Sequence, residues 1–141
     1  MKYFHSFFII LILLISCNRK ENIINNLVRE NNISIINLSK ETIDGEAVLR
    51  EYDDSFLKKY GFVFPGIKDK TFDINDVKSL KTKDNKMTKV SQPVFSKNNK
   101  YCLIQIIVYN KNIEEFNTTY LLEKNEEKWV IESEMVVFTS P

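Results

Sequence analysis

The sequence predicts an α+β domain in which an antiparallel sheet of about four strands carries one or two helices packed on one face. Two observations predict this class. Runs of β-forming residues fill much of the chain from residue 90 onward, at 90–95, 101–109, 118–124 and 129–138. Ahead of them, apolar residues recur at helical spacing between residues 46 and 60. Strands that follow a helical region, rather than alternate with helices, favour an antiparallel sheet.

The amino terminus has the order of a secretory signal peptide. Lys2 supplies a positive charge, Phe7–Ile15 is unbroken and apolar, and the small residue Ser16 stands directly before Cys17. The apolar run is short for a bilayer span, which needs about 20 apolar residues. We therefore expect residues 1–16 to be a cleaved signal peptide, with an uncleaved membrane anchor as the alternative.

The end of this leader, Leu14–Cys17, resembles the lipobox of bacterial lipoproteins. The resemblance implies that the Cys17 thiol is diacylated, that the preceding peptide bond is cut and that the new amino terminus is acylated, by chains such as palmitate. Two or more chains anchor a protein stably. We therefore expect Cys17 to be the lipidation site and the membrane to be a partner. The expected location is the bacterial cell envelope, at the outer rather than the inner membrane.

Which membrane face carries the protein stays open. Arg19–Glu21 loosely resembles the charged export signal of surface lipoproteins of the Bacteroidota.

Removing residues 1–16 from the 141 leaves 125, which fits one domain. We expect residues 17–32 to be a lipidated tether and residues 33–141 to be a single α+β domain. Four apolar residues of the tether share a helical face, so part of it is predicted to dock on the body or rest at the lipid surface; they are Ile23, Ile24, Leu27 and Val28.

Charge is balanced overall and uneven along the chain. Lys2 is one of 20 basic residues, so 19 remain after cleavage against 19 acidic residues, and no nucleic-acid partner is expected. Residues 68–100 hold nine Lys and four Asp, whereas residues 111–134 hold three Lys and seven Glu. Three interpretations stay open: the two regions pair across a sheet, the basic region faces anionic headgroups, or both regions are ordinary solvated faces.

The mature chain lacks the residues of many catalytic sites. His5, the single histidine, lies in the leader, and Cys102 is the only cysteine besides Cys17. We therefore expect no intramolecular disulfide, no Ser-His or Cys-His pair, no metal site and no cofactor. Two acidic pairs, Asp53–Asp54 and Asp73 with Asp76, are the remaining catalytic or cation-binding candidates. Acidic residues at the start of a helix more often cap that helix than take part in catalysis, so no catalytic residue is assigned.

The first half of the domain is predicted from short patterns. Ile33–Leu38 favours a first strand, and Asp44–Gly45 favours a turn. The helical stripe that follows is either continuous or broken at Asp53–Asp54; if broken, Val48–Tyr52 is a strand and an aspartate caps a shorter helix ending near Gly61. A helix over residues 54–60 is expected in both cases.

The second half carries the stronger signals. Residues 67–89 are expected to be mostly exposed loop, with a helical turn near Ile74. Tyr101–Tyr109 is apolar at successive positions and predicts a central strand buried on both faces, with Cys102 inside. A hairpin with a four-residue loop at 125–128 is expected next, and Trp129 after it is either a ligand platform or, more often, a core residue.

At this point the chain resembles the C-terminal half of small uncharacterised lipoproteins of the Bacteroidota. The shared pattern is Pro93, then Phe95-Ser96, a strand beginning Tyr101-Cys102-Leu103, and a hairpin ending in Lys128-Trp129. Many members carry Cys and Gly in the loop that corresponds to Asn110–Thr119, where this chain has neither. The resemblance implies hairpin geometry and no particular activity.

The predicted function is a non-catalytic binding or structural module with a protein, peptide or glycan partner. One alternative is an immunity or inhibitor lipoprotein that blocks a secreted enzyme or toxin through Lys68–Lys89 or Asn110–Thr119. The other is a small carboxylate-dependent hydrolase. A large exposed apolar patch would favour the binding module, whereas two acidic side chains converging in a cleft with shifted pKa values would favour the hydrolase.

Overall fold

A computed structural model describes residues 21–68 and 72–137. The predicted signal peptide at residues 1–16 and the predicted lipidation site at Cys17 lie outside these ranges. Within these two ranges the α-helices are, in chain order, α1 (Glu21–Glu30), α2 (Gly45–Leu49) and α3 (Asp54–Tyr60).

The described strands form one mostly antiparallel sheet, and the α+β class is confirmed. The strand count was an underestimate, because the sheet has six strands where about four were expected. They are β1 (Ile67–Lys68), β2 (Lys86–Val90), β3 (Val94–Phe95), β4 (Tyr101–Asn110), β5 (Ile113–Asn125) and β6 (Lys128–Val137).

Strand β4 is the centre of the sheet, as predicted. It pairs with β5 along one side and with both β2 and β3 along the other. Residues 102–107 of β4 are all buried, which matches a strand covered on both faces. Cys102 is fully buried among them.

Two tight turns replace the loops that were expected around β5. Asn125 pairs with Lys128, so the β5–β6 turn has two residues, Glu126 and Glu127, and the predicted four-residue loop is wrong. The predicted 110–119 loop is also wrong. Lys111 (φ 51°) and Asn112 (φ 66°) form a two-residue turn, and the rest belongs to strands. Positive φ at both central residues is the geometry that fits the twist of a hairpin.

The segment 90–95 is interrupted rather than continuous. β2 ends at Val90 and β3 begins at Val94, and both halves pair with β4. The prediction that 67–89 is mostly exposed loop is wrong at its end, since β2 occupies residues 86–90. Its predicted helical turn is present as a short 3-10 helix, Ile74–Asp76.

The strand predicted at Ile33–Leu38 is not formed. Only isolated parallel bridges occur there, joining Ile36 to Leu80 and Leu38 to Thr88. Asn37 lies between them at φ 46°, outside the extended region, which prevents a regular ladder. The segment therefore runs beside β2 as irregular chain.

The helical stripe is broken at Asp53, one of the two predicted alternatives. Asp53 caps α3, and Gly61 ends that helix at φ 73°, as expected. The rival strand at Val48–Tyr52 is wrong, because Val48 and Leu49 belong to α2. Asp44–Gly45 is likewise not a simple turn, since Asp44 is the N-cap of that helix.

The helices cover both faces of the sheet, so the prediction of helices on one face is wrong. Successive residues of β4 point to opposite faces. Ile104 packs in one cluster with Ile24 of α1, whereas Leu103 packs in another with Leu49 of α2. The packed body thus includes α1, which lies within the 17–32 range assigned to a tether.

Candidate interaction surface

The first acidic pair belongs to helix α3. Asp53 Oδ1 accepts hydrogen bonds from the Phe56 backbone N–H at 2.8 Å and from the Ser55 hydroxyl at 2.7 Å. The Phe56 N–H is the main reason that the pKa of Asp53 lies below its ordinary value. Asp54 is an exposed first-turn residue. The geometry of this pair is that of a helix cap.

The second acidic pair organises the 3-10 helix. Asp73 Oδ1 accepts from the Asn75 backbone N–H at 2.9 Å and from Asn75 Nδ2 at 2.8 Å. The backbone carbonyl of Asp76 accepts from Asn25 Nδ2 at 3.1 Å, which ties this segment to α1. Within residues 21–68 and 72–137, no three His, Cys, Asp or Glu side chains come together as a metal cluster would require.

Two ion pairs connect the basic region of the sequence, 68–100, with the acidic region, 111–134. Lys86 Nζ lies 2.9 Å from Glu115 Oε2, and Lys100 Nζ lies 3.0 Å from Glu123 Oε1. Both pairs agree with the first of the three interpretations given above, in which the two regions pair across the sheet. The Lys86 ammonium lowers the pKa of Glu115 by hydrogen bonding.

Trp129 packs against the core. Its ring centroid lies 5.8 Å from that of Phe95, and the side chain is partly buried against the α1 face cluster. Beside it, a cavity of about 120 Å³ lies between α1 and the start of β6. This volume suits a few water molecules and is small for a ligand site.

A larger groove of about 490 Å³ follows the end of α1. Its walls are Val28 and Arg29 on one side and Lys78 and Leu80 on the other. Leu80 is held at both backbone groups, since its N–H donates to the Ile35 carbonyl and its carbonyl accepts from the Asn37 N–H, each at 2.8 Å. The groove is open and contains no buried charged group that would select a ligand.

A buried amide network on the α2 face was not predicted. Gln105 is almost fully buried, and its Nε2 donates to both carboxylate oxygens of Glu51 and to Asn117 Oδ1, each at 3.0 Å. Asn117 is itself buried. A single Gln within an apolar strand was the only signal for this network.

Replacing Gln105 with leucine is expected to lower the free energy of unfolding by about 1–3 kcal/mol, because the buried Asn117 oxygen loses its donor and the charge-assisted bond to Glu51 disappears. Urea unfolding measures the change. Glu51→Gln is the matched control, because it keeps an acceptor opposite Gln105 and should cost less than half as much. A neutral or stabilising Gln105→Leu would contradict this account of the network.

Exposed apolar residues collect at the far end of β5 and β6. Phe116 is 53% exposed and Val136 is 42% exposed, and the partly buried Val108 and Thr118 lie beside them. Val108 pairs with Phe116, and Thr118 pairs with Val136, so all four side chains share one face of the sheet. We call these four residues the outer patch.

The outer patch differs from the other exposed aromatic. Phe64 is also 53% exposed, but the Arg50 guanidinium lies over its ring at 5.4 Å. In the described part of the chain, no cation and no second ring lies against Phe116. The outer patch therefore presents apolar surface that its own neighbours leave uncovered.

The described helices are all short. None of them, within 21–68 and 72–137, combines the length and the apolar character that crossing a membrane demands. Comparison of the chain with known proteins gives no match among protein families, curated proteins or solved structures. What the chain does therefore has to follow from its own residues.

Proposed function

We propose that the chain is a lipid-anchored lipoprotein of the bacterial cell envelope whose folded body is a non-catalytic binding module for a protein partner. The outer patch is the observation that carries this proposal. Exposed apolar surface rimmed by polar residues is typical of protein interaction sites. Here Glu134 and the Lys86–Glu115 pair supply polar groups near Phe116 and Val136.

The carboxylates lend less support to a hydrolase. The lowered pKa values of Asp44 and Glu115 arise first from hydrogen bonds with Lys68 and Lys86, and both side chains are partly exposed. A general acid or base usually needs a pKa moved toward neutrality, whereas these shifts move away from it. The binding proposal requires no such group.

The anchor would keep the body close to the membrane. Three residues lie between the predicted lipidation site Cys17 and Glu21, where α1 begins, so the two are four residue steps apart. An extended chain covers at most about 3.6 Å per residue, so the start of α1 lies within about 14 Å of the acylated residue. The partner of such a body is expected in or beside the membrane.

Site-specific photocrosslinking in intact cells tests the binding proposal. A photoreactive phenylalanine analogue at Phe116 is expected to give a crosslinked protein of defined mass. The same analogue at Phe64 is the matched control, because that residue has the same exposed fraction on a different surface. Val136→Thr should reduce crosslinking from position 116 severalfold, because it removes apolar contact from the outer patch.

Two results would overturn the proposal. One is the absence of a crosslinked protein at position 116 in cells where the variant accumulates to the wild-type level. The other is an identical set of products at positions 116 and 64, which would indicate random collision rather than a docking site.

A further inference from the structure

Strand β6 has an open edge. It is the last strand of the sheet and pairs with β5 alone. Its ten residues, Lys128–Val137, extend over about 33 Å. Among the described residues, no backbone hydrogen bond outside the regular ladders involves β6. One side of the strand therefore presents a row of N–H and C=O groups that can pair with another extended chain.

The opposite edge of the sheet is protected from strand pairing, whereas the β6 edge is not. There the edge strand β1 has two residues, and residues 36–43 run beside β2. The Ser39 N–H donates to the Thr88 carbonyl at 2.9 Å, and the Ile43 N–H donates to the Val90 carbonyl at 3.1 Å. Short edge strands and covering chain are the usual protections of a sheet edge. In the part of the chain that the structure describes, β6 is the one long edge left open.

The charge on β6 is negative. Glu132 and Glu134 stand in the middle of the strand and are exposed, and Lys128 at its start is its only cation. Neither glutamate forms an ion pair with a described residue. Glu134 lies opposite Tyr120, whereas Glu132 has no partner on β5, because the register shifts there. Glu132 is the extra residue of this bulge. The pKa of Lys59 on α3 is raised first by Tyr60 and further by the charge of Glu132, so Glu132 lies toward the α3 face, whereas Glu134 lies with Tyr120 on the α1 face.

A second copy of the chain is a poor occupant of this edge. Antiparallel pairing about Ser133 would bring both glutamates of one copy close to both glutamates of the other. Parallel in-register pairing would set each glutamate beside its own equivalent. Like charges directly opposite each other destabilise a strand pair. The same rule favours a strand that carries cations.

We infer that the protein partner adds an extended segment with adjacent lysine or arginine residues to the open edge of β6. Backbone hydrogen bonds along the edge supply affinity, and side chains at alternate positions supply selectivity. Adjacent cations point to opposite faces of the added strand, as Glu132 and Glu134 do. Exposed Val130 and Val136 offer apolar contacts on either side of them. This inference rests on the proposed binding function and names the chemistry of the segment that is bound.

A defined peptide tests the inference on the full chain in detergent. The probe is an acetylated and amidated ten-residue peptide, Thr-Val-Thr-Val-Lys-Lys-Val-Thr-Val-Thr, and the comparison peptide has Glu-Glu at its centre. We expect the Lys-Lys peptide to bind at least about tenfold more tightly. Hydrogen exchange at β6 amides should slow when it binds, because the edge N–H groups become bonded.

Two charge variants separate strand addition from general attraction. Glu132→Lys with Glu134→Lys should reverse the preference between the peptides. Asp84→Lys with Glu127→Lys is the matched control, because it changes the net charge equally at exposed sites outside the strands, and it should keep the preference. Equal loss in both variants, or binding of the Lys-Lys peptide without slower exchange in β6, would overturn the inference. So would no binding at roughly millimolar peptide.

The two proposals fail separately. If crosslinking from Phe116 captures a partner and Glu132→Lys with Glu134→Lys leaves that capture unchanged, the binding module stands and strand addition is wrong. If the Lys-Lys peptide binds β6 as expected but Phe116 captures nothing in cells, the edge is competent and the proposed docking through the outer patch is wrong.

Discussion

Replacing Ile24 with alanine is expected to lower the free energy of unfolding by about 2–5 kcal/mol. Ile24 is fully buried in α1 and packs in the cluster that contains Ile104 and Tyr120. Alanine would remove buried carbon atoms and leave a cavity that the surrounding strands only partly fill. Urea unfolding followed by the fluorescence of Trp129 measures the change, because Trp129 packs against the same cluster.

The size of this effect decides what α1 does. The sequence left two roles open, a helix docked on the body and a helix resting at the lipid surface. Asn26→Ala is the matched control, since Asn26 is exposed on the same helix and its loss should change stability by no more than about 0.5 kcal/mol. Equal, small effects of the two substitutions in detergent would contradict docking and return α1 to the lipid surface.

The elements that the sequence predicted well are those whose signal is local or continuous. Tyr101–Tyr109 has almost no polar residue and is rich in β-branched and aromatic residues, which is typical of a strand buried on both faces. Helix α3 was predicted because Asp53 and Gly61 are suitable caps on either side of it. Such features depend on neighbours within a few positions, so a single sequence contains them.

Strand β2 was missed because its partners are distant in sequence. Lys86–Val90 is polar at three of its five positions and resembles loop. Its central Thr88 is nevertheless fully buried, and the hydroxyl accepts a hydrogen bond from the Ile36 N–H at 3.0 Å. That bond spans 52 positions and satisfies a polar group that would otherwise oppose burial. Tertiary pairing overrides local propensity here.

The start of helix α2 was missed for a related reason. Asp44–Gly45 has the composition of a turn, yet the Asp44 side chain accepts the Glu46 N–H and starts a helix. Gly45 is required by packing, because a Cβ at that position would lie 2.6 Å from Val94 Cγ2. The close approach of Gly45 and Val94, which are 49 positions apart, cannot be deduced from the dipeptide.

The sequence led us to look for an exposed apolar patch, but it did not indicate where on the fold such a patch lies. Phe116 and Val136 lie in runs of β-forming residues, and the sequence does not distinguish an uncovered strand end from a covered one. The distinction depends on α1, which packs with Cys102 and Leu122 and leaves Val108 and Phe116 at the far end. Burial by a neighbouring element, not hydrophobicity, therefore defines the outer patch.

Replacing Cys17 with alanine is expected to abolish acylation of the protein completely. The lipobox resemblance places the only acceptor thiol at this residue, and the other cysteine, Cys102, is fully buried. Labelled palmitate fed to growing cells should therefore enter the wild-type protein and not the Cys17→Ala variant. Cys102→Ala is the matched control and should keep the label, because it removes a thiol without touching the processing site.

Intact mass and fractionation complete this test by separating the two readings of the leader. A processed lipoprotein loses residues 1–16, gains the mass of its acyl chains and stays in the membrane fraction through them, because two or more chains anchor stably. An uncleaved anchor would keep all 141 residues, carry no label and remain in the membrane in both variants. That second pattern would remove the lipid anchor from the proposed function. It would leave the outer patch and the β6 edge to be tested on their own, because neither depends on how the chain reaches the membrane.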